Sequence, residues 1–484
     1  MPGVVISTSV RTGPSTVTVR KSSQLFVVGL AERGPSNEAV LVESLADFED
    51  VFGGYRSDSY LHPTVQTFFE EGGTRAYVGR AVGASATAGT LTLDATGGTD
   101  VITLTANGAG DWSADVDVQV VNTGSAFRII LFYQDDQVYT TGIVTSSSQA
   151  VGRINSSTVA ARYVTAAVNN ANLLPATLAA TAMAAGDSDD DNLDDDDFIA
   201  SLELFNDALG VGSVACPESQ SGDMNEALVA HANEYSRIAI LCGPENQTVA
   251  QAKTAAGDVQ NLDNAEHAAY YYPWVVIPTS VAGITRTIPP VGYVCAKRAL
   301  AHNQTGAHVP GAGLLSASRF VSGVAVDVNK VIGDDLDENF VNAIRVIQNT
   351  VRIYGARSCS LDTSNFKYIT QQDVVNTVVS EAYASLEDLV FSPIDGRNEL
   401  FAAISSRLVA ILATMRDTGA LYPAFDANGI QLDPGFTVKC DKTINPATQL
   451  AEGLIKATVG LRVSSIGDKI EIDIVKSNLT TSVV

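Results

Sequence analysis

The residues that could do chemistry are, first, acidic. Gly186 to Asp197 holds eight aspartates, and clustered carboxylates are the donor set that a calcium ion takes. The EF-hand register fails. Counted from Asp187, the obligatory turn glycine is Asn192 and the twelfth position is Phe198 where a glutamate belongs. The stretch therefore reads as a solvated acidic loop ahead of a helix from Phe198 to Leu209. A calcium-binding, β-rich surface or binding protein is the alternative it keeps open. The five histidines, His62, His231, His267, His302 and His308, contain no His-Glu-x-x-His, and a spacing of six between the last two misses the step that puts two zinc ligands on one helix face. Gly210-Val211-Gly212-Ser213-Val214-Ala215 has dinucleotide-like spacing, but it follows a helix and leads into a strand. A phosphate cradle needs the opposite order. No catalytic residue, cofactor site or metal site is assigned.

The totals point away from other classes. A formal charge of −24 opposes phosphate binding, because nucleic-acid surfaces are basic, and it favours a partner with positive patches. Five scattered cysteines without a Cys-x-x-Cys pair read as buried thiols made in a reducing compartment. The start, Met1-Pro2-Gly3-Val4-Val5-Ile6-Ser7, lacks the basic and long apolar regions of a secretory signal. Leu408 to Met415, between Arg407 and Arg416, is too short to span a bilayer.

The elements that would position such residues can be taken in order. Leu25 to Ala31 reads as a buried strand, Ser44 to Phe52 and Leu61 to Glu70 as helices, and Arg75 to Ala81 as a strand. From about Gly83 to Pro175 the strand period recurs at Thr90 to Leu93, Val101 to Thr105, Val116 to Val120 and Phe127 to Tyr133, which indicates a β-sandwich or barrel with Trp112 in its core. From Val211 to Val276 the pattern alternates: strands at Val211 to Ala215, Arg237 to Cys242 and Trp274 to Ile277, helices at Met224 to Glu234 and Thr248 to Asp258. That alternation predicts a mostly parallel sheet. Further on, Val374, Val375, Val378, Val379, Ala382, Leu386 and Val390 form one helical stripe, ended at Ser392-Pro393. Leu400, Ile404, Leu408, Ile411, Leu412 and Met415 form another, stopped by Gly419. Alternating strands close the chain, at Leu461 to Val463 and Ile470 to Ile474.

Taken together, the order resembles the sheath proteins of contractile tails. The residues that carry the resemblance are Phe52-Gly53, Gly73-Thr74-Arg75-Ala76-Tyr77-Val78, Gly110-Asp111-Trp112, Pro289-Pro290-Val291-Gly292-Tyr293, Gly306, Val309-Pro310-Gly311, Ile353-Tyr354-Gly355-Ala356-Arg357-Ser358 and Thr418-Gly419-Ala420-Leu421. Val291 stands where the family usually has serine, and the family's tryptophan is missing near His308. The resemblance implies an α/β multidomain fold: a subtilisin-like core, an inserted β-sandwich, an α+β C-terminal domain and extended terminal arms. The corresponding divisions are an arm at 1–22, core at 23–85, insertion at 86–185, core at 186–352 and C-terminal domain at 353–484. A subtilisin-like core raises a serine hydrolase as rival. Thr279-Ser280-Val281-Ala282 is similar to a nucleophile loop, but Pro278 replaces the expected glycine, and no enzyme activity is expected.

What the family implies for function is a virion tail sheath, assembled in the host cytoplasm. It would form helically stacked hexameric rings around a tube, contact baseplate and tail terminator or neck proteins, and contract to deliver a genome without binding nucleic acid or inserting into membrane. A sheath from a non-viral injection machine is the near alternative. Strands would be exchanged between subunits, through Val4, Val5, Ile6, Val10, Val17 and Val19 at one end and Ile470, Ile472, Ile474 and Val475 at the other. An extended, branched segment gains its hydrogen bonds by joining a neighbour's sheet edge.

Overall fold

A computed structural model describes residues 22–279, 281, 283–394 and 396–468. Gln24–Gly29 (β1) is buried from end to end. Leu25 and Val27 face one apolar layer while Phe26 and Val28 face another, so the period of two serves two cores at once. Val40–Val42 (β2) follows, then Leu45–Phe52 (α1), whose N-terminus is capped by the Ser44 side chain accepting from the Asp47 N–H. Leu61–Glu70 (α2) leads to Ala76–Arg80 (β3).

The chain then leaves this layer for two antiparallel sheets that share one core. Thr90–Asp94 (β4), Asp100–Ala106 (β5) and Val164–Val168 (β9) make one sheet. Val116–Asn122 (β6), Phe127–Tyr133 (β7), Asp136–Thr140 (β8) and Leu178–Ala182 (β10) make the other. Their inner faces meet through Leu104, Trp112, Val118, Ile129 and Leu131, and the Trp112 indole N–H donates to the Ala109 carbonyl at 3.1 Å. The helix Ser147–Asn155 (α3), capped by Ser146 and burying Ala150 and Ile154, is an addition to the strands expected in this stretch. The sandwich also continues beyond Pro175, because β10 pairs with β6.

Asp195–Leu202 (α4) returns the chain to the large sheet, and Gly212–Ala215 (β11), Gly222–Glu234 (α5), Ile238–Cys242 (β12) and Val249–Gln260 (α6) follow. The next central strand is Ala268–Tyr272 (β13) rather than the expected Trp274 to Ile277. Pro273 has no N–H to give a ladder, and beyond it Val275–Pro278 (β14) joins Thr285–Ile288 (β15) and Gly323–Val324 (β16) in a separate antiparallel sheet. Val291–Gln304 (α7) and Lys330–Glu338 (α8) precede Val341–Ile347 (β17) and Thr350–Tyr354 (β18). The last two form a hairpin across Gln348 and Asn349, both at positive φ, the geometry that matches strand twist.

The large sheet runs β18-β17-β13-β12-β11-β1-β3-β2. Its inner pairings are parallel, and only the edge strands β18 and β2 run antiparallel to their neighbours. One face packs on α2 and α7 through residues such as Phe68, Tyr293 and Val294; the other packs on α4, α5 and α6 through Leu202, Leu228 and Ala256. The mixed α/β architecture expected from the alternation is therefore present as a sheet covered on both faces.

Ile369–Leu386 (α9) and Glu399–Asp417 (α10) pack on each other. They are followed by Ala424–Phe425 (β19), Gln431–Asp433 (β20), Phe436–Lys439 (β21), Ala447–Ala451 (α11) and Thr458–Leu461 (β22). The α9 stripe corrects the sequence reading. Val374 and Val378 are buried, but Val379 is half exposed and Val390 lies beyond the helix, while Gln372, Asp373, Asn376 and Ser380 are buried in its place. The helix also ends before Ser392-Pro393, passing into a 3-10 turn at Glu387–Leu389. For α10 the reading holds: Leu400, Leu408 and Leu412 are buried, and Gly419 at φ 87 takes the left-handed position after the last turn.

Candidate functional site

The polar face of α9 is buried because α7 meets it with charge. Arg298 of α7 is 3% exposed and Asp373 of α9 also 3%; they form an ion pair, and the guanidinium also donates to the Ser213 hydroxyl on β11. One residue earlier, Lys297 pairs with Glu71 at 2.6 Å with both side chains fully buried. Glu71 further accepts from the backbone N–H groups of Arg319, Phe320 and Val321. Gln372 hydrogen-bonds Asn376 and the ring of His267, and Asn376 donates to the Arg237 carbonyl. A buried charge survives only with a partner and satisfied lone pairs, so the contacts of Gln372, Asp373 and Asn376 fix α9 in one register, and the Lys297–Glu71 pair ties α7 to the end of α2 and to residues 319–321.

His302, one helical turn beyond Arg298, brings a serine and an aspartate together. Its Nδ1 lies 2.9 Å from the Ser22 hydroxyl and its Nε2 3.6 Å from Asp373. A Ser-His-Asp set invites comparison with a hydrolase triad. The surroundings fit a structural role instead. Asp373 is already paired with Arg298, burial holds the imidazole down to about 4, and the adjoining cavity offers about 10 Å³, room for a single water and not for a substrate. The sequence could not signal this set, because Ser22 and His302 are 280 positions apart.

The other candidate residues are dispersed. His62 pairs with Glu49, His231 contacts Arg237, and His267 contacts the Arg237 carbonyl. The Thr279 hydroxyl bonds the carbonyls of Val281 and Ile284, whereas Ser280 and Ala282 lie outside the described residues. Gly210 closes a 3-10 turn and leads into β11, the reverse of the strand-to-helix order of a phosphate cradle. All five cysteines are free and buried, and burial pushes the Cys216 thiol up to about 12. The aspartates of the acidic loop have separate tasks. Asp194 and Asp197 form a capping box on α4, Asp190 pairs with Arg56 at 2.7 Å, Asp189 accepts from the Ser85 N–H, and Asp195 accepts from Ser219. Among the described residues no group of three or more His, Cys, Asp or Glu is placed to hold a metal ion.

Arginines join the sandwich to the sheet body. Arg33 lies over the rings of Tyr133 and Tyr163 at 5.0 and 5.1 Å, and buried Arg80 donates to the carbonyls of Ala31, Gly34 and Ala109. Two motif loops explain their glycines. A Cβ on Gly311 would come within 2.6 Å of the α7 backbone, and one on Gly355 within 2.7 Å of Asn342 Oδ1, the atom that accepts from the Arg357 N–H.

The ten terminal residues named for strand exchange all lie outside the described residues. The points where the described chain begins and ends are both tied to the start of α9. Ser22 contacts His302, which faces Asp373, and Asp468 accepts from Lys367 at 2.9 Å and from the Tyr368 hydroxyl. Tyr368 and Asp373 are about 7–8 Å apart along the helix at 1.5 Å per residue. Beyond α10, β21 and β22 form a sheet of two strands, and Leu421 bridges Val463 beside its end. Among the described residues no third strand lies along it, and no helix is long and apolar enough to cross a membrane.

An α/β body with a sandwich inserted after its third strand, followed by a helical pair and a small open sheet, is the fold of contractile sheath proteins. The solved structures it resembles include the sheath tail protein Lin1278 from Listeria innocua, at a TM-score of 0.61 and 14% identity over 89% of this chain and 90% of that one. A chain in the six-fold symmetrised baseplate of the anti-feeding prophage matches with a TM-score of 0.59 and 14% identity, covering 99% of both. A chain of the sheath complex of PVC, an extracellular contractile injection system in its contracted state, matches with a TM-score of 0.56 and 14% identity over 99% and 98%. No protein-family model matches the chain, and no curated protein matches it by sequence.

Proposed function

We propose that the chain is the structural subunit of a contractile sheath, polymerising as stacked hexameric rings around an inner tube and contracting to drive that tube through a cell envelope. The observation that carries the reading is the extent of the likeness: it spans 98–99% of both chains with subunits of contractile assemblies, not a shared core alone. The six-fold symmetry stated for one of those assemblies supports the hexamer.

Strand exchange is part of the proposal. β21–β22 packs one face on α9 and α10 through Phe436, Val438, Val459 and Leu461 and stays half exposed, which leaves it able to take further strands at its edges. Strands from neighbours, supplied by Val4 to Val19 and by Ile470 to Val475, would complete it. Contraction would then be a rigid-body rearrangement with the exchanged strands keeping subunits attached. On this reading the body corresponds to the family's subtilisin-like core and has no catalytic role, and the partners are a tube protein, a baseplate and a tail terminator or neck protein. Genome delivery from a phage virion assembled in a host cytoplasm is the reading we favour. The second reading, a non-viral injection machine, is favoured by the likeness to the anti-feeding prophage and PVC chains.

The test is negative-stain electron microscopy of the untagged protein over a concentration series, alone and with its tube protein. Hollow rods or stacked rings are expected. Monomers at every concentration, with the tube present, would overturn the assembly claim.

A further inference from the structure

We infer that the junction of α7 and α9 is a binding site for one internal water molecule. Three buried polar atoms there have no protein hydrogen-bond partner: Arg298 Nε, Thr370 Oγ1 and Asp373 Oδ2. Their residues are 3%, 1% and 3% exposed, and all three line the same cavity, together with His302, Gly311 and Gly355. An orphaned buried donor or acceptor costs about 1–3 kcal/mol, so three in one place call for a shared partner.

The chemistry selects that partner. Arg298 Nε can only donate, Asp373 Oδ2 can only accept while ionised, and the threonine hydroxyl does either. The ligand must therefore both accept and donate. A metal cation cannot accept from Arg298, and an anion is repelled by Asp373. The space, about 10 Å³ for the centre of a water molecule, is that of a single-water site. The 3.6 Å between His302 Nε2 and Asp373 Oδ2 is too long for a direct hydrogen bond and leaves Oδ2 free to accept from such a water. The close approaches of Gly311 to the α7 backbone and of Gly355 to Asn342 wall the cavity with backbone. The water would thus link α7 and α9, in a cavity that both motif loops line.

A density map of the full chain, from crystals or assembled rods, at a resolution of about 2 Å or better tests this directly. A peak within hydrogen-bond distance of Asp373 Oδ2 and Thr370 Oγ1 is expected. A featureless cavity, or a His302 ring closed onto Asp373, would overturn it. Thr370→Val gives an independent readout with a sign. If water is bound, the isostere removes one of its partners and lowers Tm by roughly 1–3 °C, while Thr370→Ser stays close to the parent. In a dry cavity the valine removes only an orphaned hydroxyl, so a Tm that is unchanged or raised counts against the site.

Discussion

At the scale of single residues, the chain spends its buried charges on orientation. Glu71 and Lys297 are each fully enclosed, and removing one partner strands the other in a medium where an unpaired ion is unstable. Glu71→Gln is expected to cost about 3–5 kcal/mol, read as a lower denaturation midpoint, and the double change Glu71→Leu with Lys297→Met should not restore it, because leucine leaves the Arg319, Phe320 and Val321 N–H groups without an acceptor. His302 supplies a pH signature. Burial holds its folded-state value to about 4, below the ordinary imidazole value of 6.5. The unfolded chain therefore takes up the proton first, and stability is complete above about pH 6.5 and is lost as pH falls toward 4. His302→Gln should flatten the slope of Tm against pH in that window. Part of the slope will remain, because burial also holds His231 down to about 3.

At the scale of elements, the first turns of α9 gather the contacts of both ends of the described chain. Ser22 reaches Asp373 through His302, and Asp468 is held by Lys367 and Tyr368. If the segments beyond these points are exchanged strands, deleting 1–19 or 470–484 abolishes polymerisation while the monomer keeps its circular dichroism and melting behaviour. Rods from either truncated chain, seen by electron microscopy, would remove strand exchange from the proposal. The small β21–β22 sheet is where such strands would add, since no third strand lies along it among the described residues.

For the whole molecule, the separable unit is the sandwich. It has its own core, and it touches the body through Arg33, Arg80 and the Arg162–Asp50 pair. Removing 86–185 and joining the ends should leave rod assembly intact, checked by microscopy of the deletion variant. A deletion ending at Pro175 should do worse, because it leaves β10 without β6. Some stability will be lost even with the longer deletion, since Arg80 loses its bond to the Ala109 carbonyl.

Much of this was legible in the sequence because it depends on periodicity. Leu25 to Ala31 had to be buried on both faces, Phe127 to Tyr133 had to alternate, and Gly419 had to end its helix, all for reasons local to a few residues. The order of motifs carried the likeness to sheath proteins as well. Position along the chain says nothing, however, about which distant groups meet. The buried face of α9 is polar because Arg298 of α7, His267 and the Arg237 carbonyl meet it, so a stripe of valines was a poor guide to it. The strand after α6 shifted to Ala268–Tyr272 because Pro273 ends the ladder there, while Trp274 to Ile277 had the stronger apolar pattern. The cavity between Arg298, Thr370 and Asp373, and the approach of Ser22 to His302, arise only once the sheet has brought α7 and α9 together. Local pattern determined the elements; desolvation of charge at their contacts decided which faces meet.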